Sequence, residues 1–122
     1  MQTISIDTPG SEIVLKLKII DNPVSQKLSQ SLPIESAAKT WGGEIYFETG
    51  LTAPAYNLTT DVNVGDVAYW PDGKCLCVFF GRTPASTGDK PIPASGVVVV
   101  GKASVDPEDL GRVKPGARIK VS

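Results

Sequence analysis

The stretch Gly65-Asp-Val-Ala-Tyr-Trp-Pro-Asp-Gly-Lys-Cys-Leu-Cys-Val-Phe-Phe-Gly81 decides the fold. It reads as two strands joined by a turn at Pro71, Asp72 and Gly73, where proline fixes φ and glycine frees it. The strands do not alternate apolar with polar residues. Both are apolar on both faces, so neither side looks at water. The stretch also concentrates aromatic residues, which makes it the place to look for a core and for a pocket. It contains no recognisable catalytic group.

The flanking sequence supplies more strands. Ile4 and Ile6 begin one, and a turn at residues 8–11 leads into a long strand over 12–20. There Ile13, Leu15, Leu17 and Ile19 share one face and Lys16 and Lys18 the other, so the opening is a β-hairpin. Asn22 followed by Pro23 starts a helix, because asparagine caps free N–H groups and proline fits the first helical position. Val24, Leu28 and Leu32 give that helix one narrow apolar stripe, and Pro33 stops it. Residues 34–39 read as a connection.

Trp41-Gly42-Gly43 leads into a strand over 44–48 with Ile45 and Phe47 on one side. Residues 50–63 read as a loop with room for one extended piece. A second long loop, 81–96, carries Pro84, Pro91 and Pro93, and long loops in small domains are often functional. A buried strand over 97–100 follows. Asp106-Pro107 then repeats the capping signal, and Ala117, Ile119 and Val121 alternate with Arg118 and Lys120 in a last strand. The sum is one domain, residues 1–122, with seven or eight strands and two short helices. A closed or nearly closed β-barrel of about eight strands, plugged by the helices, buries strands of this kind and removes exposed edges.

Composition narrows the function. Lys and Arg total 12 against 13 Asp and Glu, a net charge of −1, so the basic surplus of a nucleic-acid binder is missing. The chain has no histidine, which excludes Ser-His-Asp and Cys-His nucleophile sites and histidine metal sites. Cys75 and Cys77 stand one residue apart in a strand, too far apart across one face for a relaxed disulfide, and two thiols alone make a poor metal site. They read as small buried thiols in a reducing compartment. No phosphate loop or dinucleotide fingerprint is present, so neither a cofactor nor a metal is expected. The start of the chain lacks a signal-type apolar run, and no stretch reaches transmembrane length. The expectation is a cytoplasmic protein without nucleic-acid or membrane partners.

Several residues are candidates for a binding groove. Glu44 and Glu48 share a strand face with Tyr46 between them, an arrangement that suits acid–base work or, more plainly, the wet outer face of a barrel. Trp41, Tyr69 and Trp70 either plug the core or wall an apolar groove, and Tyr69 and Trp70 point to opposite faces. Phe79 and Phe80 split in the same way. Arg82 at a groove rim has the planar donors to fix a carboxylate or carbonyl, or else is a solvated surface arginine.

The order of these elements resembles cyclophilin, through Phe79-Phe80-Gly81-Arg82-Thr83-Pro84 and the later Val99-Val100-Gly101-Lys102. More closely, the chain is similar to a small prokaryotic cyclophilin-like family of mostly uncharacterised proteins. The likeness runs over Trp41 to Phe47, Gly65 to Cys77 and Phe79 to Ser86. The resemblance implies an eight-stranded barrel with two capping helices. Cyclophilins isomerise prolyl bonds with an arginine on the strand after the first helix, aided by a tryptophan and a histidine. The matching strand, 44–48, has no arginine, and the Thr-Pro loop continues with Ala85 and Ser86. No catalytic residue is assigned. The expected role is a module that binds a small molecule or an extended peptide between strand 44–48, hairpin 65–80 and loop 81–96. Trp41, Glu44, Tyr46, Tyr69, Trp70, Phe80 and Arg82 are its candidate contacts. The rivals are a peptidyl-prolyl isomerase with a rebuilt site, which needs Arg82 at the substrate amide, and a protein-interaction or oligomerisation domain.

Overall fold

The computed structural model describes residues 2–53 and 56–122. Among these residues, nine strands form one antiparallel sheet: β1 (Gln2–Thr8), β2 (Ser11–Ile19), β3 (Ile34–Ala37), β4 (Lys39–Thr40), β5 (Glu44–Glu48), β6 (Asp66–Trp70), β7 (Cys75–Phe79), β8 (Val98–Ala103) and β9 (Arg118–Val121). The spatial order is β3-β9-β1-β2-β8-β6-β7-β5-β4. The two outermost strands adjoin in sequence on either side of Ala38. The chain pairs with β9 as far as Ala37 and with β5 from Lys39 onward. Buried Ala38 bonds back to the turn before β9, through its N–H to the Ala117 carbonyl at 2.7 Å and its carbonyl to the Gly116 N–H at 2.8 Å. One short segment therefore nearly closes the barrel.

This corrects the reading of residues 34–39 as a connection. They form two strands, short because each is used only where a neighbouring edge needs covering. Of the four residues in β3, only Ile34 is buried, too weak a pattern to announce a strand.

The first helix, α1 (Pro23–Gln30), is capped as expected. The Asn22 side chain accepts from the N–H of Val24 at 3.0 Å and of Ser25 at 2.8 Å, and Ser25 Oγ accepts from the Asn22 N–H. Asn22 Nδ2 also donates to the Val99 carbonyl at 3.0 Å, which ties the cap to β8. Val24 and Leu28 are buried, whereas Leu32 lies beyond the helix because the residue before a proline is pushed out of the α region. Leu32 still packs on the core from there. The second helix, α2 (Pro107–Leu110), is capped by Asp106 and buries Leu110. Among the described residues, no helix is long and apolar enough to cross a membrane.

The apolar hairpin is buried on both sides, for two different reasons. Val67, Tyr69, Leu76 and Val78 face the barrel interior with Ile4, Leu17 and Phe47. Ala68, Cys77 and Phe79 face outward and form a second cluster with Val62 and Val97. Those last two belong to the long connections, which an isolated bridge between Thr59 and Val97 zips together over the outer face.

Candidate functional site

The sheet parity that sends Ile45 and Phe47 inward turns Glu44 and Tyr46 outward, onto the face that the loop over residues 81–97 covers. Glu48, also outward, lies beyond the cover and pairs in solvent with Lys39 at 3.2 Å. The two glutamates of β5 thus meet very different surroundings.

The covering loop is fixed at both ends. At its start, the Gly43 N–H donates to the Arg82 carbonyl at 2.6 Å, and the Gly43 carbonyl accepts from Phe80 at 2.7 Å and Gly81 at 3.1 Å. The approach is so close that a Cβ on Gly43 would stand 2.2 Å from the Gly81 carbonyl carbon. Within the loop, buried Thr83 donates its hydroxyl to the Ile92 carbonyl at 2.5 Å, and the Ser86 hydroxyl donates to Lys90 at 2.8 Å. Lys90 also pairs with Asp61 on the other long connection. At the far end, Trp70 Nε1 donates to Ser95 Oγ at 2.6 Å, and Ser95 donates onward to Asp72 at 2.7 Å.

Beneath this loop is a cavity of about 200 Å³. The sheet contributes Glu44, Tyr46, Trp70 and Cys77, and Trp41 comes from the turn before β5. Pro93, Ala94 and Val97 close it from the loop. Tyr46 and Trp70 meet edge to face, with ring centroids 6.3 Å apart and an interplanar angle of 88°.

Glu44 is the chemical singularity of this cavity. It is only 5% exposed, and its Oε1 has no hydrogen-bond partner among the described residues. Burial drives its carboxyl up to about 7, and the neighbouring Cys77 thiol, a hydrogen-bond partner, pulls the other way. The Cys77 thiol is itself pushed well up, first by burial and then by the glutamate charge, so it stays protonated and unreactive. Among the described residues, Asp66 is the other buried carboxylate with an unbonded oxygen, but it is already employed. Its Oδ2 accepts from the Asn63 N–H at 2.8 Å, and Lys102 Nζ lies 3.7 Å from Oδ1.

The structure brings Trp41, Glu44, Tyr46 and Trp70 together and leaves three other candidates elsewhere. Tyr69 points into the barrel, where its hydroxyl donates to the Leu51 carbonyl at 2.5 Å. Phe80 packs in the same interior core. Arg82 is exposed, contributes its carbonyl to the Gly43 clamp and is not part of the cavity lining. Cys77, Pro93 and Ala94 lie on the hairpin and loop that were expected to wall the groove but were not named as contacts, and Val97 lies just beyond that loop. The register sets Cys75 opposite Trp70 and leaves Cys77 on the same outward face, whereas the loop residues depend on how the loop folds back. A larger cavity of about 560 Å³ lies at one barrel end, between the β1–β2 turn and residues 104–114. Its arginine, Arg112, is already paired with Glu108 and Asp109 at 3.1 and 3.2 Å, and no buried unpartnered group opens into it among the described residues.

No curated protein matches the chain. Among solved structures, it is similar to a hypothetical protein of Archaeoglobus fulgidus known from a solution structure. The two share 36% sequence identity and superpose with a TM-score of 0.74, over 100% of this chain and 93% of that one. The family model described as cyclophilin-like matches residues 2–122. With the nearly closed antiparallel barrel and its two short helices, this places the chain in a family by sequence and by fold alike: it belongs to the cyclophilin-like family.

Proposed function

We propose that this cyclophilin-like protein is a binding module whose ligand, a small molecule or an extended peptide, enters the cavity beneath the loop over residues 81–97. The observation that carries the reading is Glu44, a buried carboxyl with an unmet acceptor at an aromatic-walled opening. A buried polar atom without a partner costs free energy, so its retention there calls for an explanation that packing does not supply. The clamped loop supports the same reading, because a cavity held open before the ligand arrives loses little on ordering. An isomerase reading requires Arg82 at the substrate amide, and Arg82 is not among the lining residues.

The test is a nuclear magnetic resonance titration of labelled protein with a fragment set and short extended peptides, some containing proline. Saturable shifts centred on Trp41, Glu44, Tyr46, Trp70 and Cys77 are the expected result. Shifts centred on Val14 and Arg112, at the larger cavity, would move the site. A protease-coupled isomerisation assay on the proline peptides tests the enzyme reading in parallel.

A further inference from the structure

The lining of the small cavity restricts what can enter it. Among the described residues, Glu44 is the one acidic group of its lining, and Lys and Arg are absent from it. An anion would meet Glu44 with no counter-charge. Three aromatic rings, from Trp41, Tyr46 and Trp70, line the same space. Ring faces attract cations, and an anion at hand offsets the cost of taking a cation out of water. The volume, about 200 Å³, falls below the roughly 300 Å³ at which pockets begin to enclose drug-sized ligands. The occupant is therefore the size of a side chain.

Resting on the binding role proposed above, we infer that the cavity recognises an aliphatic ammonium group, whose N–H donates to Glu44 and whose methylenes lie against Trp41, Tyr46 and Trp70. The ammonium belongs either to a free alkylamine or to a lysine side chain of an extended peptide. It supplies the partner that Glu44 Oε1 lacks and leaves the aromatic walls in contact with carbon. Recognition also has a proton linkage. With its carboxyl near 7, Glu44 is mostly protonated at pH 6 and mostly ionised at pH 8, and only the ionised form pairs with an ammonium. Few other groups face it. Cys75 and Cys77 approach from β7, Tyr46 flanks it on its own strand, and Lys39 is held farther along by Glu48. Residues 93–97 of the loop and outward-facing Trp70 of β6 bring no charge.

The experiment is a resonance titration with n-butylamine, with n-butanol as its neutral counterpart, and with acetyl-Gly-Lys-Gly-amide against its norleucine analogue, at pH 6 and pH 8. Butylamine is expected to saturate the Trp41 and Trp70 indole signals and to bind about tenfold more tightly at pH 8 than at pH 6. Glu44→Gln is expected to remove both the preference over butanol and the pH dependence. A lysine peptide that binds more tightly than butylamine assigns the ammonium to a peptide, and the reverse order assigns it to a free amine. Equal binding of butanol, or tighter binding at pH 6, overturns the ammonium inference and leaves the groove standing. No shift at these residues with any probe, charged or neutral, overturns both. Trp41→Ala provides a second variant: it should weaken butylamine and butanol alike, because the ring contacts the methylenes that they share, and unchanged binding of both counts against the inference.

Discussion

The Trp70 indole N–H donates to the Ser95 hydroxyl at 2.6 Å, and that hydroxyl donates to Asp72 at 2.7 Å. A residue of the apolar hairpin thereby holds the end of the loop that covers it, and the hairpin turn holds the same hydroxyl from the other side. Ser95→Ala removes both bonds without altering a ring or a charge. Stability should fall by about 1 kcal/mol, because half-buried Trp70 can still reach water. Hydrogen exchange should quicken over residues 90–97 and stay unchanged in β1 and β2. Uniform quickening across the barrel would show that this bond does not hold the loop.

Thr83 staples the same loop from its middle. Its buried hydroxyl donates to the Ile92 carbonyl and accepts from the Ala85 N–H at 3.3 Å. Thr83→Val keeps the shape and strands the carbonyl, which should cost about 1–3 kcal/mol in a urea melt. A melt that matches the wild type would mean that the carbonyl finds water.

Gly43 and Gly88 separate a close backbone approach from an ordinary turn. A Cβ on Gly43 runs into the Gly81 backbone at 2.2 Å, whereas one on Gly88 meets nothing within 4 Å. Gly43→Ala should cost more than about 3 kcal/mol and disturb the Trp41 and Glu44 resonances. Gly88→Ala should lie within about 0.5 kcal/mol of wild type. Equal melts for the two variants would contradict the clamp between β5 and the covering loop.

Phe80 and Trp41 should part company between stability and binding. Phe80→Ala opens the barrel core and should cost about 3–5 kcal/mol. Trp41→Ala, at a half-exposed position, should change stability far less and weaken ligand binding. Thermal melts paired with the resonance titration read both effects, and a reversed pattern would place the groove on the wrong side of the sheet.

Much of the barrel was legible because its decisive signals are local. The hairpin over 65–81 shows burial on both faces in its own composition, and the Asn22-Pro23 and Asp106-Pro107 pairs mark both helix starts. β3 and β4 were not legible. A four-residue strand with one buried isoleucine and a two-residue strand follow from the edges waiting on β9 and β5, which the local pattern does not carry. The site was legible by half. Opposite directions for Tyr69 and Trp70 follow from strand parity, but which one faces inward depends on barrel closure. Glu44 sits on a face that reads as polar and wet. It is buried because the loop returns from Gly81 to Val97 across it, and the pairing that sets Tyr46 opposite Cys77 is a long-range contact.

Glu44 should also write itself into the pH dependence of stability. Its folded-state value of about 7 lies above the ordinary 4.5, so between these values the native state holds a proton that the unfolded chain releases. Its contribution is complete below about 4.5 and is lost as the pH rises through 7, by roughly 3 kcal/mol in all. Urea melts of Glu44→Gln should therefore gain on wild type between pH 5 and pH 8. A constant difference between the two would contradict the burial of an acid with an unmet oxygen.

The most direct measurement is the carbon-13 titration of the Glu44 carboxyl in the free protein. A midpoint near 7 is the predicted result, set by burial beneath the loop and the unmet Oε1. A midpoint at the ordinary 4.5 would mean that the carboxylate is solvated or already paired, and the cavity would lose the group on which its proposed role depends.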